Sequence, residues 1–166
     1  MLLKNLLFAA LFSLASFTAF SQELFPNRCL GQWQGTMHLY YEGILRDSVP
    51  LRFTVAPIDS VSWTWRMEYL SDKLPMTKDY VLRIKDKQRQ VYVTDEGDGI
   101  ELQDYLFGNK LYSIFETAGI LLTASYEWRG DELIFEVTSG KKADNTAAEV
   151  QSHPVSSVQR AVLKRV

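Results

Sequence analysis

Between Val61 and Leu70 the chain alternates. Val61, Trp63, Trp65, Met67 and Tyr69 share one parity, while Ser62, Thr64, Arg66 and Glu68 share the other. Successive side chains of a strand point to opposite faces, whereas a helix spreads alternate positions around its circumference. Five bulky residues on one face therefore predict a strand with one buried and one wet side. The same pattern sets Leu51, Phe53 and Val55 against Arg52 and Thr54. It also sets Leu133, Phe135 and Val137 against Glu132, Ile134 and Glu136.

Extending this reading predicts strands over 30–42, 50–56, 61–70, 78–85, 89–95, 99–105, 110–116, 120–128, 132–138 and 156–165, with a short helical turn within 22–29. The connections carry turn chemistry: Glu96-Gly97-Asp98-Gly99, Gly108-Asn109, Ala118-Gly119 and Arg129-Gly130-Asp131. Glycine and aspartate supply the backbone angles and local hydrogen bonds of tight hairpins. Strands so joined run antiparallel to their neighbours. One connection, 139–155, is long and polar. A meander of this length closes most simply into an up-and-down barrel, which removes exposed edges. A two-sheet sandwich would show more crossing connections. The expected fold is thus all-β: a closed antiparallel barrel of eight to ten strands.

The first residues read differently. Lys4 precedes an apolar run from Leu6 to Phe20, and Ala19-Phe20-Ser21 fits the small-x-small pattern of signal cleavage. Residues 1–21 are expected to be an export signal and 22–166 a single domain, periplasmic or secreted. The run is short for a membrane span, so no span is expected after cleavage. The net charge is −2 with no basic cluster, which argues against a nucleic-acid partner. Cys29 is the single cysteine, so no internal disulfide is available and cohesion must come from the core. Cys29 itself is expected to be a small buried residue.

Three segments resemble a known superfamily. The opening Leu30-Gly31-Gln32-Trp33-Gln34-Gly35-Thr36 resembles that of the calycins, which include lipocalins, fatty-acid-binding proteins and nitrobindin-like barrels. The segment from Tyr126 to Glu136 is similar to a late hairpin of fatty-acid-binding proteins. The ending Val158-Gln159-Arg160-Ala161-Val162-Leu163-Lys164-Arg165 resembles their basic last strand. The resemblance implies a lipocalin-like barrel in which Gly31 and Trp33 meet a cation of the last strand, either Arg160 or Arg165, as a structural closure. Nitrobindin-like proteins bind haem through a histidine of the final strand. This chain has Val158 and Gln159 there, with His153 in the preceding loop, so no cofactor is expected.

The inward aromatic face supplies the candidate ligand site: Trp63, Trp65, Met67, Tyr69, Tyr80, Leu82, Ser113, Tyr126 and Trp128. Large aromatics offer area and geometry, and their polar tips orient a ligand. The reading favours a small apolar or amphipathic molecule bound inside the barrel. The alternative is an envelope structural or protein-interaction barrel with a filled core, marked by outward Tyr40, Val81, Tyr92, Tyr112, Ile114 and Ile134. A lipocalin-type isomerase or dehydratase would need an inward polar pair with shifted pKa values, and the sequence identifies none. No Gly-x-Ser-x-Gly occurs, and no catalytic residue is assigned. His38 and His153 are separated and make no metal site. The acids of Asp95 to Glu101 lack calcium-loop spacing and read as a hairpin turn. Glu116, Glu127 and Glu136 could face one another across adjacent strands as paired carboxylates, but a solvated outer face explains them more simply.

Overall fold

A computed structural model of the chain describes residues 23–143 and 149–166. The expected export segment, 1–21, lies outside the described residues, as does part of the long connection. One helical turn, α1 (Phe25–Arg28), precedes ten strands: β1 (Gly31–Tyr41), β2 (Ile44–Pro57), β3 (Ser62–Tyr69), β4 (Met76–Asp86), β5 (Val91–Gly97), β6 (Ile100–Phe107), β7 (Lys110–Thr117), β8 (Ile120–Arg129), β9 (Glu132–Lys141) and β10 (Ser157–Arg165). Each strand pairs with its sequence neighbours, and β10 returns to pair antiparallel with β1, closing the barrel. The closed antiparallel barrel expected from the alternation and the short turns is the observed fold.

The first hairpin is tighter than its composition suggests. The expected strands 30–42 and 50–56 leave 43–49 between them, yet β2 begins at Ile44. Glu42 and Gly43 form the whole connection, with φ of 49° and 77°. Two consecutive positive φ angles match the primed turns whose twist suits adjoining strands.

Closure depends on a backbone contact. Gly35 of β1 faces Leu163 of β10, and a Cβ on Gly35 would lie 2.3 Å from the Val162 carbonyl oxygen. Only glycine lets the first and last strands come this close, which is the physical content of the Trp33-x-Gly35 spacing.

The end of the barrel at the start of β1, here the lower end, is packed solid. Phe25, Cys29, Trp33, Phe53, Trp63, Trp65, Leu82, Leu133 and Leu163 are all buried. α1 plugs this end, and Trp–backbone and Trp–side-chain bonds hold it. Trp33 Nε1 donates to the Cys29 carbonyl at 2.7 Å, and Trp63 Nε1 donates to Asn27 Oδ1 at 2.9 Å. Both bonds satisfy indole donors that burial would otherwise leave costly.

Of the two basic candidates for barrel closure, Arg165 is the partner of Trp33. Its guanidinium lies 4.4 Å from the indole centroid and also donates to the carbonyls of Leu30 and Arg28. Arg160 points the other way and pairs with Glu136 at 3.2 Å. The two differ by five residues, an odd step, so one strand cannot turn both inward. Gly31 gives Arg165 room: a Cβ there would sit 3.3 Å from its Nη1.

Two expected outward residues are corrected. Tyr92 faces inward and joins the core beside Leu106 and Leu111. Tyr92 pairs with Ile84 and Thr94 with Leu82, both on the core side of β4, while Val91 and Val93 on the opposite face are buried too. Alternation carries no phase when both faces are apolar and covered. Ile134 does sit in the outward phase, between Glu127 and Val162, but it is only 6% exposed and offers no patch. Tyr112 and Ile114 are exposed as expected, whereas Tyr40 and Val81 are half-buried.

Candidate ligand cavity

The opposite, upper end of the barrel is not filled. Strands β3 to β10 surround a cavity of about 140 Å³. Its apolar wall includes Met67, Leu102, Phe115, Leu122, Phe135 and Val137, and its polar wall includes Thr94, Glu96, Ser113, Gln159 and Lys78. Tyr126 forms the floor. Its ring stacks on Phe135 at 4.8 Å and on Phe53 at 5.4 Å, and Trp65 meets it edge-on at 5.1 Å. Such pairs hold a ring in a defined orientation beyond their burial alone. The floor is thus the top of the packed lower half.

The expected site residues separate by height. Met67, Tyr69, Tyr80, Ser113 and Tyr126 line the cavity. Trp63, Trp65, Leu82 and Trp128 lie below it, in or against the packed core. Trp63 is tied to α1, and Trp128 lies beneath the Arg28 guanidinium at 5.7 Å. All share the inward face, but Trp63 and Tyr69 stand six residues apart, roughly 20 Å along a strand. One reaches the plug and the other the mouth.

The least expected component is Asp104. It sits on the inward phase of β6 opposite Tyr92, and only 1% of its surface is exposed. Thr94 Oγ1 donates to its Oδ2 at 2.6 Å, while Oδ1 has no hydrogen-bond partner. Burial pushes its carboxyl up to about 6, against the favourable Thr94 and Ser113 hydroxyls, and the charge of Glu96 pushes the same way. A carboxylate without a cation pays heavily for burial. Nothing in the local sequence, Glu101-Leu102-Gln103-Asp104-Tyr105, distinguishes it from a solvated strand acid.

Glu96 was legible only as part of an acidic turn. The turn is real: Asp95 Oδ1 accepts from the Gly97 amide at 3.0 Å, and Asp95 pairs with Arg83 at 3.2 Å. Yet Glu96 sits at a bulge in the β5–β6 ladder, between Asp95 and Gly97, and lines the cavity. Glu96 shares the parity of Tyr92 and Thr94, the inward face of β5. Burial first, then the adjacent Glu96, raises the pKa of both Tyr80 and Tyr69.

The other charged candidates lie on the outer wall. Glu116 pairs with Lys142 and Glu127 with Arg129, both at 2.7 Å, so with the Glu136–Arg160 pair each of the three glutamates has its own cation. They form no carboxylate pair. His38 is exposed and bonds the Ser48 hydroxyl, and His153 accepts from the Ala143 amide. Among the described residues no group of His, Cys, Asp and Glu is arranged to hold a metal, and no helix is long and apolar enough to cross a membrane.

Comparison with known proteins places the architecture and not the ligand. No family model and no curated protein matches the sequence. Among solved structures, a protein of unknown function of the DUF3598 family from Nostoc punctiforme superposes with a TM-score of 0.59 at 14% identity. The match covers 84% of this chain and 48% of that one, so this barrel spans about half the length of that neighbour. Rv2717c from M. tuberculosis matches with a TM-score of 0.54 at 19% identity, over 84% of this chain and 93% of that one. At such identities the likeness is one of fold.

The ladder between β6 and β7 has its own bearing on the cavity. It pairs only Tyr105 with Tyr112, Leu106 with Leu111 and Phe107 with Lys110. Continued one step, it would pair Asp104 with Ser113. The seam therefore stops where the cavity's polar wall begins. Outside it, Tyr105, Phe107, Tyr112 and Ile114 gather on the surface, with Phe107 66% exposed.

Proposed function

We propose that the protein is an exported carrier that binds one small amphipathic molecule in the upper half of its barrel, in the periplasm or outside the cell. The observation that carries this reading is the contrast between the two halves. The lower half is packed with aromatic rings and plugged by α1, whereas the upper half holds a cavity of about 140 Å³ with both apolar and polar walls. Apolar cavities of about 150 Å³ take up benzene, so the space suits a body of about one ring. Each methylene moved from water into it contributes about 0.8 kcal/mol, and the hydroxyls of Thr94, Ser113, Tyr69 and Tyr80 orient the polar end. The filled-barrel alternative describes the lower half only.

The test is methyl NMR of the mature chain titrated with 2-phenylethanol, a neutral one-ring compound. Saturable shifts are expected at the Met67, Ala124 and Val137 methyls, all of which face the cavity. The Leu163 methyls, deep in the packed half, are expected to stay still. Unmoved cavity methyls at millimolar ligand would overturn the carrier reading.

A further inference from the structure

The geometry points to a ligand that carries a primary ammonium group, held by the Thr94 and Ser113 hydroxyl oxygens and Glu96 with Asp104 behind them. This assignment rests on the reading of the cavity as a ligand site and names the chemistry of that ligand.

The argument starts from proton bookkeeping. An ionised carboxylate only accepts hydrogen bonds. Thr94 Oγ1 stands 2.6 Å from Asp104 Oδ2, so its one proton is committed to that bond. The Ser113 hydroxyl supports the same carboxylate. Both hydroxyl oxygens also line the cavity. With their protons turned toward Asp104, they present only lone pairs to a ligand. Glu96, on the same inward face of β5 as Thr94, adds another acceptor. This stretch of wall therefore accepts and does not donate.

Charge completes the argument. Two carboxylates, Asp104 and Glu96, stand within or directly behind the lining, against Lys78 as the one basic residue of that lining. Lys78 Nζ lies over the Tyr80 ring at 5.7 Å, on β4. Among the described residues Asp104 makes no ion pair, and the donors that reach it, from Thr94 and Ser113, are neutral. A primary ammonium brings one positive charge and three donors, the complement of such a wall. An anionic ligand meets like charge there, and a neutral carbonyl ligand meets acceptors.

Protonation reverses the arrangement. When Asp104 takes up a proton its carboxyl becomes a donor, and the Thr94 and Ser113 hydroxyls are free to turn toward the cavity. The groups facing Asp104 are Thr94, Tyr92 and Glu96 of β5, Ser113 of β7 and Tyr126 of β8, with Tyr80 and Lys78 of β4 and Tyr69 of β3 beyond. The tyrosines are neutral across the acidic range, as any phenol is, and burial raises their pKa values further. Ammonium binding is thus expected to strengthen as pH rises through about 6. It should hold until the amine itself loses its proton, above about pH 9.

The experiment compares three ligands of one shape by methyl NMR: 2-phenylethylamine, 2-phenylethanol and 3-phenylpropionate. At about pH 7.5 the amine is expected to bind at least ~10-fold more tightly than the alcohol, the value of one charge-assisted hydrogen bond in a buried site. The carboxylate is expected to bind least. Near pH 5 the preference for the amine should shrink to about 2-fold, as the buried acid protonates. Asp104→Asn should remove the preference for the amine over the alcohol at both pH values. The pH series on the native chain stands independently should that variant not fold. If the alcohol binds and the amine binds no better, or the carboxylate binds best, the ammonium assignment is overturned and the carrier reading survives. If no ligand moves the cavity methyls, both fall.

Discussion

The Arg165 guanidinium lies 4.4 Å from the Trp33 indole centroid, joining the last strand to the first beneath a barrel whose ends are 132 residues apart in sequence. The same guanidinium donates to the carbonyls of Leu30 and Arg28. One side chain thus closes the sheet and anchors the helical plug.

That double role makes Arg165 more costly to lose than its neighbour on the same strand. Arg165→Met keeps the apolar stem and removes the cation–π contact with both carbonyl bonds. It is expected to cost about 1–3 kcal/mol in urea unfolding. Arg160→Met breaks only an exposed pair with Glu136 and is expected to cost under about 0.5 kcal/mol. Equal losses would show that the closure is not specific to Arg165.

Gly35→Ala sets a methyl against the Val162 carbonyl, 2.3 Å from where the Cβ must go. The obstacle is backbone, so the β1–β10 seam has to part. A loss of at least about 2 kcal/mol is expected, and thermal unfolding measures it. A variant as stable as the parent would mean the seam yields without cost.

Asp104 gives the chain an unusual pH dependence. Its pKa is raised from 3.8 to about 6 in the folded state, so the folded chain holds the proton more tightly than the unfolded one. Stability from this group is full below about pH 4 and is lost as pH rises through about 6. Two pKa units correspond to roughly 2–3 kcal/mol. Asp104→Asn is therefore expected to be more stable than the parent at pH 7.5 and close to it at pH 4. Denaturant midpoints of both proteins across that range supply the difference. A parallel pair of curves would remove Asp104 from the account.

Cys29 is expected to be inert in the native state. Its side chain is fully buried and burial pushes its thiol up to about 12, against the opposing charges of Arg165 and Arg28. Reactivity follows the thiolate and its exposure. Labelling by a thiol reagent should then track unfolding, or release of the α1 plug, which Asn27→Ala would accelerate by removing the acceptor of Trp63. Rapid labelling of the native parent would show the plug to be open.

Much of this architecture is legible in the residues, because alternation reports which face a side chain takes. β3 is the clearest case, and its Trp63, Trp65, Met67 and Tyr69 do point inward. Alternation is silent about height, so tryptophans of the packed base and the Met67 and Tyr69 of the cavity look alike in sequence. It also loses its phase where both faces are covered: the buried Val91 and Val93 hide that Tyr92, Thr94 and Glu96 share the inward face of β5. Asp104 escapes for a different reason. A lone acid in a strand reads as solvated, and only the neighbouring strands reveal that Thr94 and Ser113 enclose it.

The division of the barrel into a solid base and a hollow top separates two kinds of selection. Substitutions at Leu102, Phe115 or Leu122 reshape the cavity wall while the clamp of Trp33, Arg165 and α1 goes untouched. A lineage built on this plan can reshape the hollow half by a few changes near the mouth, without having to find a new way to fold.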